Sequence, residues 1–302
     1  MPSLKEVRNK ITSVGSTMQI TSAMKMVSAA KLKRAQDAIV QMRPYANKLK
    51  EILENVSSSV DASENVYARN TGGKNVLLIA ISSNRGLAGG FNANIIKKTW
   101  SLINNDFKGQ NVFVVSIGKK ANDAFRRTPY GIHGVHSKLG IHDDQFAHNV
   151  SKILDHLNYE NSVAISEKVI ETFLNKEFDK VVVIYNQFRN AAVQIPTEEQ
   201  LLPVVSTNTE TKKTSNTDYI FEPNQEYIVN ELIPRSVKTQ LYKALLDSFA
   251  SEHGARMTAM HKATDNAKAM QRDLKIMYNK ARQASITKEI LEIVGGAEAL
   301  KG

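Results

Sequence analysis

From Arg235 to Val294 the chain contains no proline and a single glycine, Gly254. Few folds tolerate that. At least 60 residues are free to form one helix, about 90 Å long at 1.5 Å per residue. Pro234 suits a first-turn position or a kink near its start, and the whole segment is read as residues 225–302. Its inward positions are small: Ala244, Ser248, Ala255, Ala259, Ala263, Ala269, Ala281 and Ala284, with Leu241, Leu245, Leu274 and Met277 adding grip. Small residues let helix axes approach closely, so Ala259→Leu is expected to overpack such a seam.

The other end has the same character. Leu4, Val7, Ile11, Val14 and Met18 step by 3 and 4, a heptad seam. The apolar phase then moves to Ile20, Met24 and Val27 and runs on loosely through Leu32, Ile39, Met42, Leu49, Ile52 and Val56. Ser3 with Glu6 three residues later forms a capping box, Gly15 is a weak spot, and Pro44 is expected to kink or interrupt the helix. Residues 1–57 therefore read as one helical segment about 80 Å long. Neither long helix can bury its stripe alone, because helix stability comes mainly from packing an apolar face. The two ends are expected to pair as an antiparallel coiled coil.

Between them the texture changes. Residues 58–75 are polar, with Gly72 and Gly73, and read as a linker. Val76–Ser82, Val112–Ile117 and Val181–Asn186 are apolar runs of strand length, and Ala191–Ile195 reads as a hairpin arm. Helical patterns near Asn92–Asn104, Lys119–Arg127, Phe146–His156 and Ser162–Asn175 alternate with them. Such alternation predicts an α/β domain over 76–222, Rossmann-like with a largely parallel sheet. Residues 207–217 read as an exposed loop.

Ser82–Asn92 follows a buried strand and opens a helix, where nucleotide folds place a phosphate loop. Gly86, Gly89 and Gly90 lack the spacing of either phosphate-binding motif, and no Gly-Lys-Ser/Thr follows. The segment reads as a tight strand-to-helix turn with Asn92 capping. His133, His136, His142, His148 and His156 have no helical metal-pair spacing and no accompanying carboxylates, so they read as solvated loop residues. With no cysteine, disulfides, thiolate zinc sites and cysteine nucleophiles are excluded. Neither a carboxylate pair nor a Ser/His/Asp arrangement stands out, and no cofactor or metal site is expected.

The net charge of +10 is uneven. Residues 1–57 carry 10 basic against 4 acidic residues, and residues 225–302 carry 12 against 9. Lys25, Lys31, Lys33 and Arg34 form a basic collar with no acidic residue between Ser22 and Gln36. A basic coiled coil could meet nucleic acid, anionic lipid or acidic protein. Charge alone does not choose among them, and a nucleic-acid-binding coiled coil is the alternative reading. No apolar run reaches the roughly 18 residues needed to span a bilayer.

Three blocks then identify a resemblance. Leu4–Lys31 resembles the N-terminal helix of F-type ATP synthase gamma subunits. Ser82–Asn94 is similar to that family's central signature. Ala255–Met260, Tyr278–Ile290 and Glu292–Ala297 resemble its C-terminal hallmark. The family has Gln-Lys where Met18-Gln19 stand, so one collar charge is missing, and the cysteine-bearing regulatory insertion of chloroplast relatives is absent. The resemblance implies a central rotor shaft with no catalytic site of its own, carrying torque from a proton-driven c-ring to three alpha and three beta subunits. It also implies an epsilon subunit partner, one copy per complex and no nucleic acid. Arg256, Arg282, Gln283, Thr287 and Glu289 match family positions that meet the beta subunit. With no presequence, the expected location is the cytoplasmic side of a bacterial inner membrane, peripheral and held through the c-ring.

Overall fold

The computed structural model describes residues 3–59, 66–69, 72, 74–131, 153–204 and 225–300. They divide into two compact units, Met1–Ala29 with Arg256–Gly302 and Ala30–Ala255. Helix α1 spans Leu4–Ser59, continuing through Pro44 without interruption, and the last helix, α5, spans Gln225–Ala299. Ser3 caps α1: its Oγ accepts from the Glu6 amide at 3.2 Å.

In the first unit the two helices run antiparallel. Arg8 donates to the Tyr278 hydroxyl at 2.7 Å, Gly15 lies against Gln271, and Thr21 Oγ1 sits 2.8 Å from Thr264 Oγ1. As one number rises the other falls. The inward residues of α1 here are Leu4, Val7, Ile11, Val14, Met18, Thr21, Lys25 and Ser28, an unbroken alternation of 3 and 4. Those of α5 are Met260, Thr264, Ala267, Gln271, Leu274, Tyr278, Ala281 and Ser285, with the same spacing.

The expected phase shift is therefore corrected. The heptad continues through Thr21, Lys25 and Ser28, leaving Ile20, Met26 and Val27 at 60%, 69% and 58% exposure. On α5, Ala269, Ala284 and Met277 are exposed, and Ala259 and Ala263 are only half-buried. The overpacking test consequently belongs at Ala267, which is buried. Ala267→Leu should cost about 1–3 kcal/mol. An unchanged denaturant midpoint of the purified chain would place that residue outside the seam.

The second unit holds the sheet. Its strands are β1 (Asn75–Ile81), β2 (Asn111–Ile117), β3 (Lys180–Phe188) and β4 (Gln194–Leu202). Among the described residues the order is β2-β1-β3-β4, with β1 parallel to β2 and β3, and β4 antiparallel to β3. The connecting helices are α2 (Phe91–Ser101), α3 (Lys119–Phe125) and α4 (Tyr159–Leu174). Residues alternate across β1, so it is buried on both faces. Leu77, Ile79 and Ile81 join Phe173 of α4 and Val237, Leu241 and Leu245 of α5. Val76, Leu78 and Ala80 join Ile95 of α2 and Phe125 of α3. This is the continuous apolar texture expected of a central parallel strand.

Two expectations shift. The hairpin arm is Gln194–Leu202 rather than Ala191–Ile195. It is a polar edge strand bearing Pro196, a residue sheets admit at edges. The helical reading of Phe146–His156 falls partly outside the described residues, and 153–156 form a turn. His133, His136, His142 and His148 also lie outside the described residues, whereas His156 is exposed.

Candidate functional site

The loop after β1 was the one place with the look of a phosphate site. The structure fills its donors from within. The Ser83 amide donates to Asn92 Oδ1 at 3.0 Å. At the start of α3, the Lys119 amide donates to Asn84 Oδ1, Lys120 to the Ser83 carbonyl and Ala121 to Ser82 Oγ. An anion at that helix start would have to displace the chain's own groups. Asn92 does not cap α2. It reaches back to Ser83, and the cap position is Gly90 with no side-chain bond. Ala88 and Phe91 of this turn pack on Ala255 of α5, so the motif serves packing within the second unit.

Among the described residues, no group of His, Cys, Asp or Glu is arranged to hold a metal ion. No helix among them is long and apolar enough to cross a membrane.

The four residues of the basic collar differ in their surroundings. Lys25 is a seam residue, its Nζ 3.4 Å from His261 Nδ1, and His261 approaches Asp265 at 3.4 Å. Lys33 pairs with Asp37 one turn on at 2.9 Å. Lys31 and Arg34 are exposed.

The residues of α5 expected to meet a partner are mostly open. Arg282, Gln283, Thr287 and Glu289 are exposed, although the Thr287 hydroxyl donates to the Gln283 carbonyl and Ser285 donates to Glu289. Arg256 differs, being 6% exposed.

Sequence reasoning missed the feature beside them. Ile286, Ile290, Leu291, Ile293 and Val294 are all exposed. Arg8 lies opposite Tyr278 and α1 begins at Leu4, so these turns of α5 extend past the described start of α1. Large apolar side chains around a helix without a partner element mark an interaction surface. Ile20, Met26 and Val27 do the same on α1, displaced from the seam by Thr21, Lys25 and Ser28. A strict heptad count from Leu4 would have revealed the second set.

A stiff two-helix element with apolar residues left outside its seam, joined in sequence to an α/β sheet unit, matches a known family throughout. A family model described as ATP synthase covers residues 3–300. The ATP synthase gamma chain of Christiangramia forsetii is 55% identical over 303 residues, covering 100% of both chains. The chain belongs to the ATP synthase gamma chain family. The corresponding chain of Flavobacterium johnsoniae is 56% identical over 304 residues, again covering 100% of both. A chain in the central stalk and c-ring structure of the Tetrahymena thermophila mitochondrial ATP synthase aligns with a TM-score of 0.57 at 25% identity, covering 81% of this chain and 99% of that one. A chain in the Euglena gracilis mitochondrial ATP synthase aligns with a TM-score of 0.62 at 17% identity over 98% of this chain and 94% of that one, a likeness of fold. In this chain the turn after β1 serves packing, through Ala88 and Phe91 against Ala255.

Proposed function

We propose that the chain is the central rotor shaft of an F-type ATP synthase, turned by the c-ring and driving an alpha/beta hexamer through its catalytic cycle. The observation that carries this reading is the end of α5, where Ile286, Ile290, Leu291, Ile293 and Val294 are exposed on one stiff helix. An apolar tip that must turn cannot form directional bonds all round. A sleeve of apolar partner residues suits it, because hydrophobic contact is non-directional. Arg282, Gln283, Thr287 and Glu289 supply the directional contacts that grip a beta subunit once per step. Arg256 belongs to the same set but offers little surface, so a partner carboxylate would have to reach in to it. The sheet unit meets the epsilon subunit and the c-ring. ATP chemistry resides in the partners, and the complex lies on the cytoplasmic side of a bacterial inner membrane. Rotation of an asymmetric shaft shifts each catalytic site among open and closed populations.

Two measurements test it. Tagged chain purified from its own membranes should bring alpha, beta and epsilon subunits with ATPase activity. A chain recovered alone, or with nucleic acid, would sink the rotor reading. Arg282→Ala should lower coupled ATP turnover about tenfold, the loss of a hydrogen bond to a charged group. Wild-type turnover and wild-type growth on a respiratory substrate would remove Arg282 from the beta contact.

A further inference from the structure

In the second unit, α1 turns Leu32, Ala35, Ile39, Ala46 and Leu49 inward. Contacts of this kind oppose separation, but being non-directional they resist sliding along the helix axis much less. Sliding is the motion that matters in a rotor. Twisting two paired helices drives one along the other, so an antiparallel pair transmits torque only as far as something directional resists that shear.

Arg43 is placed to resist it. Its guanidinium donates to Asp247 Oδ1 at 2.7 Å and to the Phe188 carbonyl at 2.9 Å. One side chain of α1 thereby grips α5 and the last residue of β3 together. The Asp247 side chain is 0% exposed, so Arg43 meets it out of water. Around it α5 holds the sheet independently. Ser251, one turn on, donates to the Asn186 carbonyl at 2.9 Å, and Lys243 reaches Glu199 of β4 at 3.5 Å. Tyr185 of β3 donates to the same Glu199 carboxylate at 3.1 Å. Gly254 passes so close to Ala191 that a Cβ there would lie 3.2 Å from its Cα. Beside the apolar core the joint between α5 and the sheet thus has a polar, tight section here, and Arg43 extends it to α1.

We propose that Arg43 is the positioning residue that fixes α1 in axial register against α5 and β3, and that torsional load carried by α1 reaches the sheet through it. The role presupposes the rotor function proposed above. Both bonds leave one terminal nitrogen, whose two hydrogens are held in fixed directions by the planar guanidinium. Lysine keeps the charge, but its ammonium rotates freely on a flexible stem and fixes no direction.

The test uses the whole enzyme in membrane vesicles, with ATP hydrolysis and ATP-driven proton pumping measured on the same preparation. Arg43→Lys and Arg43→Met are expected to keep hydrolysis within about twofold of wild type while protons pumped per ATP fall about fivefold, the range a partly exposed charge pair commands. A residue needed only for folding would lower the amount of assembled enzyme and reduce both rates together, leaving their ratio at the wild-type value. An unchanged ratio in Arg43→Lys overturns the proposal, and so does failure of both variants to assemble. Absence of ATP-driven transport of either protons or sodium by the wild-type enzyme would instead overturn the rotor reading itself.

Discussion

Gly118→Ala should destabilise the second unit by about 3–5 kcal/mol, combining strain in a backbone region open essentially only to glycine with overpacking against main chain. Gly118 has φ 102° and ψ 144°. A Cβ there would lie 2.3 Å from the Ser82 carbonyl oxygen and 2.7 Å from its carbon. Neither atom can yield cheaply, because the Ser82 amide bonds the Ile117 carbonyl at 2.7 Å and Ser82 Oγ accepts from Ala121 at 2.8 Å. The loop that imitates a phosphate site is thus locked by this crossing of backbones. Trp100, the single tryptophan, packs 5.5 Å from Phe125 of α3 and 5.8 Å from Tyr130, so its fluorescence follows this region. The expected result is a large fall in the denaturant midpoint of the Trp100 signal. A shift of less than about 1 kcal/mol, the size of an ordinary surface change, would mean the two segments are not in contact.

Much of this architecture is legible along the chain. The apolar strands β1, β2 and β3 are continuous because they are buried on both faces or nearly so, and they stand out within a residue or two of their ends. The long helices announce themselves by the absence of breakers. What hides is whatever the tertiary structure decides. Thr21, Lys25 and Ser28 occupy seam positions while Ile20, Met26 and Val27 do not, so following hydrophobicity leads off the heptad at that point. The seam accepts polar residues there because Thr264 meets Thr21 and His261 meets Lys25. The edge strand β4 is hidden by Pro196, Glu198 and Glu199, residues that suit a strand with a free side. At the candidate site Arg282, Gln283, Thr287 and Glu289 of α5 are visible from the resemblance alone. The apolar tip beside them becomes meaningful only when α1 is seen to begin at Leu4. The Arg43–Asp247 pair joins residues 204 positions apart, and no local pattern could announce it.

That pair also sets an expectation for pH. Burial pushes the Asp247 carboxyl above its ordinary value of 3.8, while the Arg43 hydrogen bond and charge, the Lys243 charge and the Phe188 backbone pull it down without cancelling the rise. The groups acting on it are Arg43 from α1, Lys243 on its own helix and Tyr185 from β3, the last two also meeting Glu199 of β4. A carboxyl whose folded value is raised holds its proton more tightly in the native state. Its contribution is complete below 3.8 and is lost as pH rises through the folded value, at about 1.4 kcal/mol per pH unit for one proton. Arg43→Met deletes two of the influences that lower it, so the folded value climbs further and the losing window stretches to higher pH. Denaturant titrations of Trp100 fluorescence between acid and neutral pH should show wild type and Arg43→Met diverging as pH rises. Asp247→Asn, which cannot titrate there, should lack that component of the slope, and the double variant Arg43→Met with Asp247→Asn should follow it. Other carboxyls add a background common to all four proteins, so the differences between them isolate this one. A constant gap between wild type and Arg43→Met across the range would mean that Asp247 does not feel Arg43. The close charge contact that ties α1 to the sheet unit would then have to be abandoned as well.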